Sequence, residues 1–273
     1  MRVVIPALMS CVVTFGASLS AQPTSSTPAR PAALPAGWEP HHPDAIIQQM
    51  QRAVAGNPAL ASRQISAVLL HGAEPRVAAF GLHSLAAMAR PEGSDVVLHF
   101  LEHRRPGLRR HAVAAAVAIG GRAMTRALER RLGDPDPDVR GDAAMGLGEI
   151  GDANSLTQLW LAFERDLESS LHAEGSALLR AAARSIARIG YGTDVDRLIG
   201  YLRRAPFRTL TDAFLVTLQR DAINPQLKLR VVNAIGNLAT PEAREFLNQF
   251  VQNHRGRPNA YVDAARTAAS RIQ

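Results

Sequence analysis

Pro75, Pro106 and Pro137 stand 31 residues apart, and a similar helix-forming segment follows each one. A period of that size marks an array of stacked units, not a chain wrapped around one closed core. In such an array each unit touches only its neighbours, and the product is an extended surface. Past Pro75 come Val77, Gly81, Leu85 and Met88. Past Pro106 come Leu108, Arg109, Ala112, Ala116 and Ile119, and past Pro137 come Val139, Arg140, Ala143, Leu147 and Ile150. Apolar residues at steps of three and four predict amphipathic helices. Proline suits the first turn, where its missing N–H would have had no partner. Asp136 and Asn224 are suited to capping the helices they precede.

The pattern continues with looser spacing in Leu178 to Gly190, in Pro225 to Leu238 and, after Pro258, in Tyr261 to Ile272; Asn57-Pro58 opens a degenerate earlier copy. Other apolar stripes lie between, over Val96 to His103, Met124 to Leu132, Leu156 to Leu167, Val195 to Leu202 and Phe246 to Val251. The expected fold is all-α, an α-solenoid of about six antiparallel helix pairs. Two places break the period: the helix from Leu156 runs long, and Leu210 to Arg220 reads as an extra stretch inserted before Pro225.

The run Asp136-Pro137-Asp138-Val139-Arg140, continuing through Ala143, Leu147-Gly148 and Ile150-Gly151, resembles HEAT-like repeats of the phycobilisome-lyase type. The resemblance spans roughly Asp44 to Gln273 and is strongest from Gly121 to Gly151. It implies a HEAT/armadillo-like superhelix. It also implies a binding scaffold, since most proteins of this type are scaffolds and a minority are bilin lyases or hydroxylases. The hydroxylases carry His-Glu dipeptides that hold two irons, and no histidine here is followed by glutamate.

Ahead of the array, Arg2, an apolar run from Val3 to about Leu19 and small residues at Ser18, Ser20 and Ala21 predict a signal peptide over residues 1–21, cleaved after Ser20 or Ala21. The expected location is the periplasm or the exterior of a bacterial cell. An uncleaved N-terminus acting as an anchor, or lipidation at Cys11, is the second reading. Cys11 is the only cysteine, so the cleaved chain has no disulfide and no thiol chemistry. Residues 22–43 carry six prolines and form a linker in which Trp38 is expected to dock on the first helix pair. Residues 44–273 form the repeat domain.

The net charge is +7, and Lys228 is the only lysine. Arg104, Arg105, Arg109, Arg110, Arg122, Arg126, Arg130 and Arg131 crowd into one unit. Such a cluster could grip anionic polymer or lipid, or it could face solvent and oppose helix dipoles. Nucleic acid is not an expected partner, because aromatic residues for stacking bases are few. Gly146, Gly148 and Gly151 spell G-x-G-x-x-G, but at a helix end and not after a strand, so no dinucleotide cofactor is expected. His99, Glu102 and His103 spell H-x-x-E-H without a third ligand.

In arrays of this kind the second helix of each pair lines the concave side. Its open offsets run through His83, His111, Asp142, Met145 and Glu149, and then through Arg184, Arg188, Arg230, Asn233, Asn237, Thr267 and Arg271. Arginine and asparagine can hold carboxylates, peptide backbone or hydroxyls. The expected binding residues are Arg184, Arg188, Arg230, Asn233, Asn237, Arg271, His83 and His111, facing a protein or peptide through a groove with a basic C-terminal half. No catalytic residue, cofactor or metal is expected. The alternatives are a repeat-based lyase or metal-dependent hydrolase, and a basic surface that binds anionic polymer or membrane. Arg109 and Arg140, at the recurring arginine of the motif, are expected to tie neighbouring units together.

Overall fold

The computed structural model describes residue 38 and residues 42–169, 176–254 and 259–272. The signal segment 1–21 with Cys11, most of the 22–43 linker and Pro258 lie outside the described residues.

Among the described residues the chain is all-α, with fourteen helices and one short 3-10 turn. In chain order they are α1 (Pro43–Val54), α2 (Pro58–Leu70), α3 (Pro75–Met88), α4 (Ser94–Leu101), α5 (Pro106–Ile119), α6 (Arg122–Arg131) and α7 (Pro137–Ile150). Then come α8 (Ala153–Ser169), α9 (Ala177–Ile189), α10 (Gly192–Tyr201), α11 (Phe207–Gln219), α12 (Pro225–Gly236), α13 (Pro241–Asn253) and α14 (Ala260–Arg271). Odd-numbered helices stack on odd-numbered ones and even on even, so the array has two layers with the core between them. Six pairs, from α2–α3 to α12–α13, are flanked by α1 and α14. Half-buried Trp38 packs against this core.

The two layers correct one expectation. The stretch Leu210 to Arg220 is not an insertion. It belongs to α11, which packs on α9 and takes the next place in the odd layer. The helix from Pro225 is therefore α12, in the even layer. Proline marks a helix start wherever it falls, and it opens α2, α12 and α13 as well as α3, α5 and α7. It does not mark the layer.

Helix α7 shows how the array closes up. Asp136 accepts the N–H groups of Asp138 and Val139 and so caps its start. Val139, Ala143 and Leu147 are buried. Glycine in a helix interior costs up to about 1 kcal/mol relative to alanine, yet here it lets the backbones meet. A Cβ on Gly146 would lie 2.6 Å from Val117 of α5, and one on Gly148 would lie 2.9 Å from the Ser185 Cβ of α9. Ser185 Oγ donates to the Ala144 carbonyl at 2.8 Å, which fastens α9 onto α7. The G-x-G-x-x-G run is thus a helix–helix contact.

In the even layer, long side chains span between helices. Trp160 on α8 donates to Asp194 on α10 at 2.9 Å, and Arg197 lies 4.1 Å over the Trp160 ring. Phe163 meets Tyr201 edge-on at 5.2 Å. Past α11 the arrangement changes over. On α12, a Cβ at Gly236 would lie 2.8 Å from the Ala268 Cβ of α14, so these two even helices are in close contact. In the odd layer, α11 and α13 meet through the Phe207–Phe246 ring pair at 5.8 Å.

The recurring arginines fasten the turns. Arg109 is 7% exposed and forks onto Asp134 with Nε at 2.9 Å and Nη2 at 2.6 Å. Its Nη1 donates to the His103 and Arg104 carbonyls. Arg140 repeats the second half of this pattern, donating to the Asp134 and Pro135 carbonyls six and five residues before it. Arg109 therefore joins two successive turns, as expected, whereas Arg140 holds only the turn ahead of its own helix.

Candidate functional site

The binding stripe expected from the sequence divides between the layers. Arg184 and Arg188 stand on α9 in the odd layer. Arg230, Asn233 and Asn237 stand on α12, and Arg271 on α14, in the even layer. Arg230 pairs with Asp196 of α10 at 2.6 Å, and Asn237 lines a recess with Ile199 of α10 and Arg203 of the turn after it. These residues do not continue the α9 surface. The layer changes because α11 occupies the odd position that the proline period had given to α12. His83 and His111 are exposed on α3 and α5.

On the odd layer, α7 and α9 frame a groove of about 300 Å³. Its sides include Asp142, Met145, Arg180, Arg184 and, from α11, Asp212. The approach of α9 to Gly141 and Gly148 sets its width. Met145 is 47% exposed, a large apolar side chain held in water. Arg110 of α5 crosses to Asp142 at 2.7 Å, and this carboxylate holds the guanidinium proton still more firmly than usual. Arg188 pairs with Glu149. Arg184, between these pairs, has no ion pair among the described residues.

Asp212 also lines a second groove, of about 370 Å³, between α11 and α13. Phe207, Leu215 and Phe246 supply its apolar lining, and Glu242 and Glu245 join Asp212 as its three carboxylates against one cation, Arg208. The odd surface therefore runs from a basic stretch on α9 to an acidic one on α11 and α13. These α11 and α13 residues lie outside the stripe expected from the sequence. The signal was present in the apolar spacing Leu210, Phe214 and Leu218, which is that of an ordinary repeat helix.

The arginine cluster is partly structural. Arg109 and Arg131 converge on Asp134, and Arg131 also reaches the Leu101 carbonyl, while Arg110 serves Asp138 and Asp142. Arg104, Arg105, Arg122 and Arg126 are exposed. His99 lies in the last turn of α4, and His103 lies past its end. There His103 stacks on Phe100, and its Nδ1 accepts the Arg105 N–H at 3.0 Å. Burial, Arg104 and Arg105 together hold His103 below the ordinary histidine range. No group of three His, Cys, Asp or Glu side chains among the described residues is placed to hold a metal ion. None of the described helices is long and apolar enough to cross a membrane.

A two-layer array with short turns, capped helices and an exposed groove defines the class: an α-solenoid of stacked helix pairs. Residues 63–148, from within α2 to near the end of α7, match the family model of HEAT repeats, so this stretch of the array is built of HEAT repeats. Solved structures similar to it include the complex of CpcE and CpcF of phycocyanin lyase from Nostoc sp. PCC7120, with 15% identity, coverage of 88% of this chain and 98% of that one, and a TM-score of 0.47. Human deoxyhypusine hydroxylase in complex with glycerol has 16% identity, coverage of 85% and 91%, and a TM-score of 0.38. The designed armadillo repeat protein YIII(Dq)4CqI has 18% identity, coverage of 83% and 100%, and a TM-score of 0.33. No curated protein matches the chain in sequence.

Proposed function

We propose that the chain is an exported HEAT-repeat scaffold that holds a protein or peptide segment along the odd helices. The observation that carries this reading is the α7–α9 groove, where Arg184, beside the exposed Met145, has no counter-ion among the described residues. An unpaired guanidinium next to exposed apolar surface suits a carboxylate followed by an apolar side chain. Asp212 joins this groove to the acidic one, so the segment would place its basic residues against α11 and α13.

The test is affinity capture from bacterial envelope extract with the full chain and two charge reversals. Arg184→Glu is expected to lose the captured protein. Arg230→Glu, in the other layer and already paired with Asp196, is expected to keep it. Undiminished capture by Arg184→Glu would overturn the groove assignment. Export rests on Arg2 and the apolar run that follows it. N-terminal sequencing of the envelope form is expected to start at Ala21 or Gln22, and an intact Met1 would contradict cleavage.

A further inference from the structure

Lys228 is the only lysine among 31 lysines and arginines, and it is 5% exposed, in the first turn of α12. Arginine and lysine differ most where a proton must be given up: the guanidinium keeps its proton, and an ammonium can release it. Lys228 Nζ lies 5.3 Å from the centre of the Tyr261 ring on α14, and it makes no hydrogen bond or ion pair among the described residues. It lines a cavity of about 220 Å³ together with Gln219, Asp221, His254, Asn259 and Tyr261. Burial holds the amine below the ordinary lysine range, and Asp221 opposes that shift. His254 Nδ1 lies 2.8 Å from the Phe250 carbonyl. A carbonyl only accepts, so Nδ1 carries the hydrogen and Nε2 of the neutral ring has a free lone pair.

We propose that Lys228 is a carbonyl-reactive amine, and that this cavity takes a small uncharged aldehyde or ketone as an imine. The neutral nitrogen attacks the carbonyl carbon, and the C=O electron pair moves onto oxygen. The nitrogen gives up two protons, the oxygen takes up two, and it leaves as water. A C=N bond replaces the C=O bond without any oxidant or reductant. Asp221 disfavours a ligand that carries its own carboxylate. The inference is independent of the odd-layer groove, since it concerns the ends of α11 to α14.

A single lysine makes the test direct, because the full chain has only two kinds of primary amine, Lys228 and the N-terminus. Propionaldehyde with cyanoborohydride at neutral pH, read by peptide mass mapping, gives the rate at each. Lys228 in the folded chain is expected to react at least about threefold faster than in the urea-unfolded chain. Asp221→Asn is expected to raise the rate further, and negatively charged glyoxylate is expected to react more slowly than propionaldehyde. Lys228→Arg, with an unchanged thermal melt, checks the assignment. A folded-state rate equal to or below the unfolded one would overturn the proposal, as would a slower Asp221→Asn variant. A preference for glyoxylate would overturn the ligand class.

Discussion

Two parts of the array bridge successive repeats with an arginine and a carboxylate, and they do so in different surroundings. At the α5–α7 turns, Arg109 and Asp134 are buried, their side chains 8% and 0% exposed. At the α8–α10 surface, Arg197 and Glu164 are 46% and 32% exposed. The chemistry is the same, but solvent screening differs. A buried pair is expensive to break, because the survivor is left charged and without a partner. An exposed pair contributes little, and the surrounding aromatic contacts hold the even helices together instead. Repetition of sequence therefore does not mean repetition of energy.

Asp134→Ala is the sharpest way to break this comparison. It strands Arg109 and is expected to cost about 3–5 kcal/mol in denaturant unfolding. A loss below about 1 kcal/mol would remove the distinction between the two regions. Gly148→Val comes next, because a side chain there must displace Ser185 at the α7–α9 contact, with an expected cost of about 1–3 kcal/mol. Arg197→Ala removes the exposed pair and the contact over Trp160, and should cost only about 1 kcal/mol. If its cost matches that of Asp134→Ala, burial is not what separates the regions.

The smallest effect is one of pH. His103, whose carbonyl Arg109 holds, is kept below the ordinary histidine range by burial and by Arg104 and Arg105. The folded chain therefore favours the neutral ring. That contribution is fully present above the unfolded pKa, near about 6.5, and is lost as pH falls through the lower folded value. Protonation also removes the acceptor of the Arg105 N–H. Thermal midpoints of the native chain and of His103→Gln should diverge as pH is raised from 5 to 7, with the native chain gaining more.

The repeat helices were legible in the sequence because proline, cap and apolar spacing all act within one turn of chain. Helix α7 carries every one of these signals. The layer of each helix was not legible past α10, because it depends on counting every helix, and α11 has the apolar spacing with its proline, Pro206, at the N-cap and outside the 31-residue period. Arg230, Asn233 and Arg271 stand in the even layer for that single reason. Arg184 and Arg188 stand in the odd layer, as their spacing suggests, because they precede the slip. The partners of Arg110 and Arg188 lie 32 and 39 residues away, and only the stacked structure shows that they are satisfied while Arg184 has no ion pair among the described residues.

The switch in close contact, from α7–α9 in the odd layer to α12–α14 in the even one, has a mechanical consequence. Helices whose backbones touch at glycine and alanine resist being pushed closer together. Helices joined by long side chains can spread by changing rotamers. Before α11 the stiff side of the array is the odd layer, and after it the stiff side is the even one. Strain applied along the chain would therefore open the even side first and the odd side only beyond α11, with α11 as the place where the compliant side changes over.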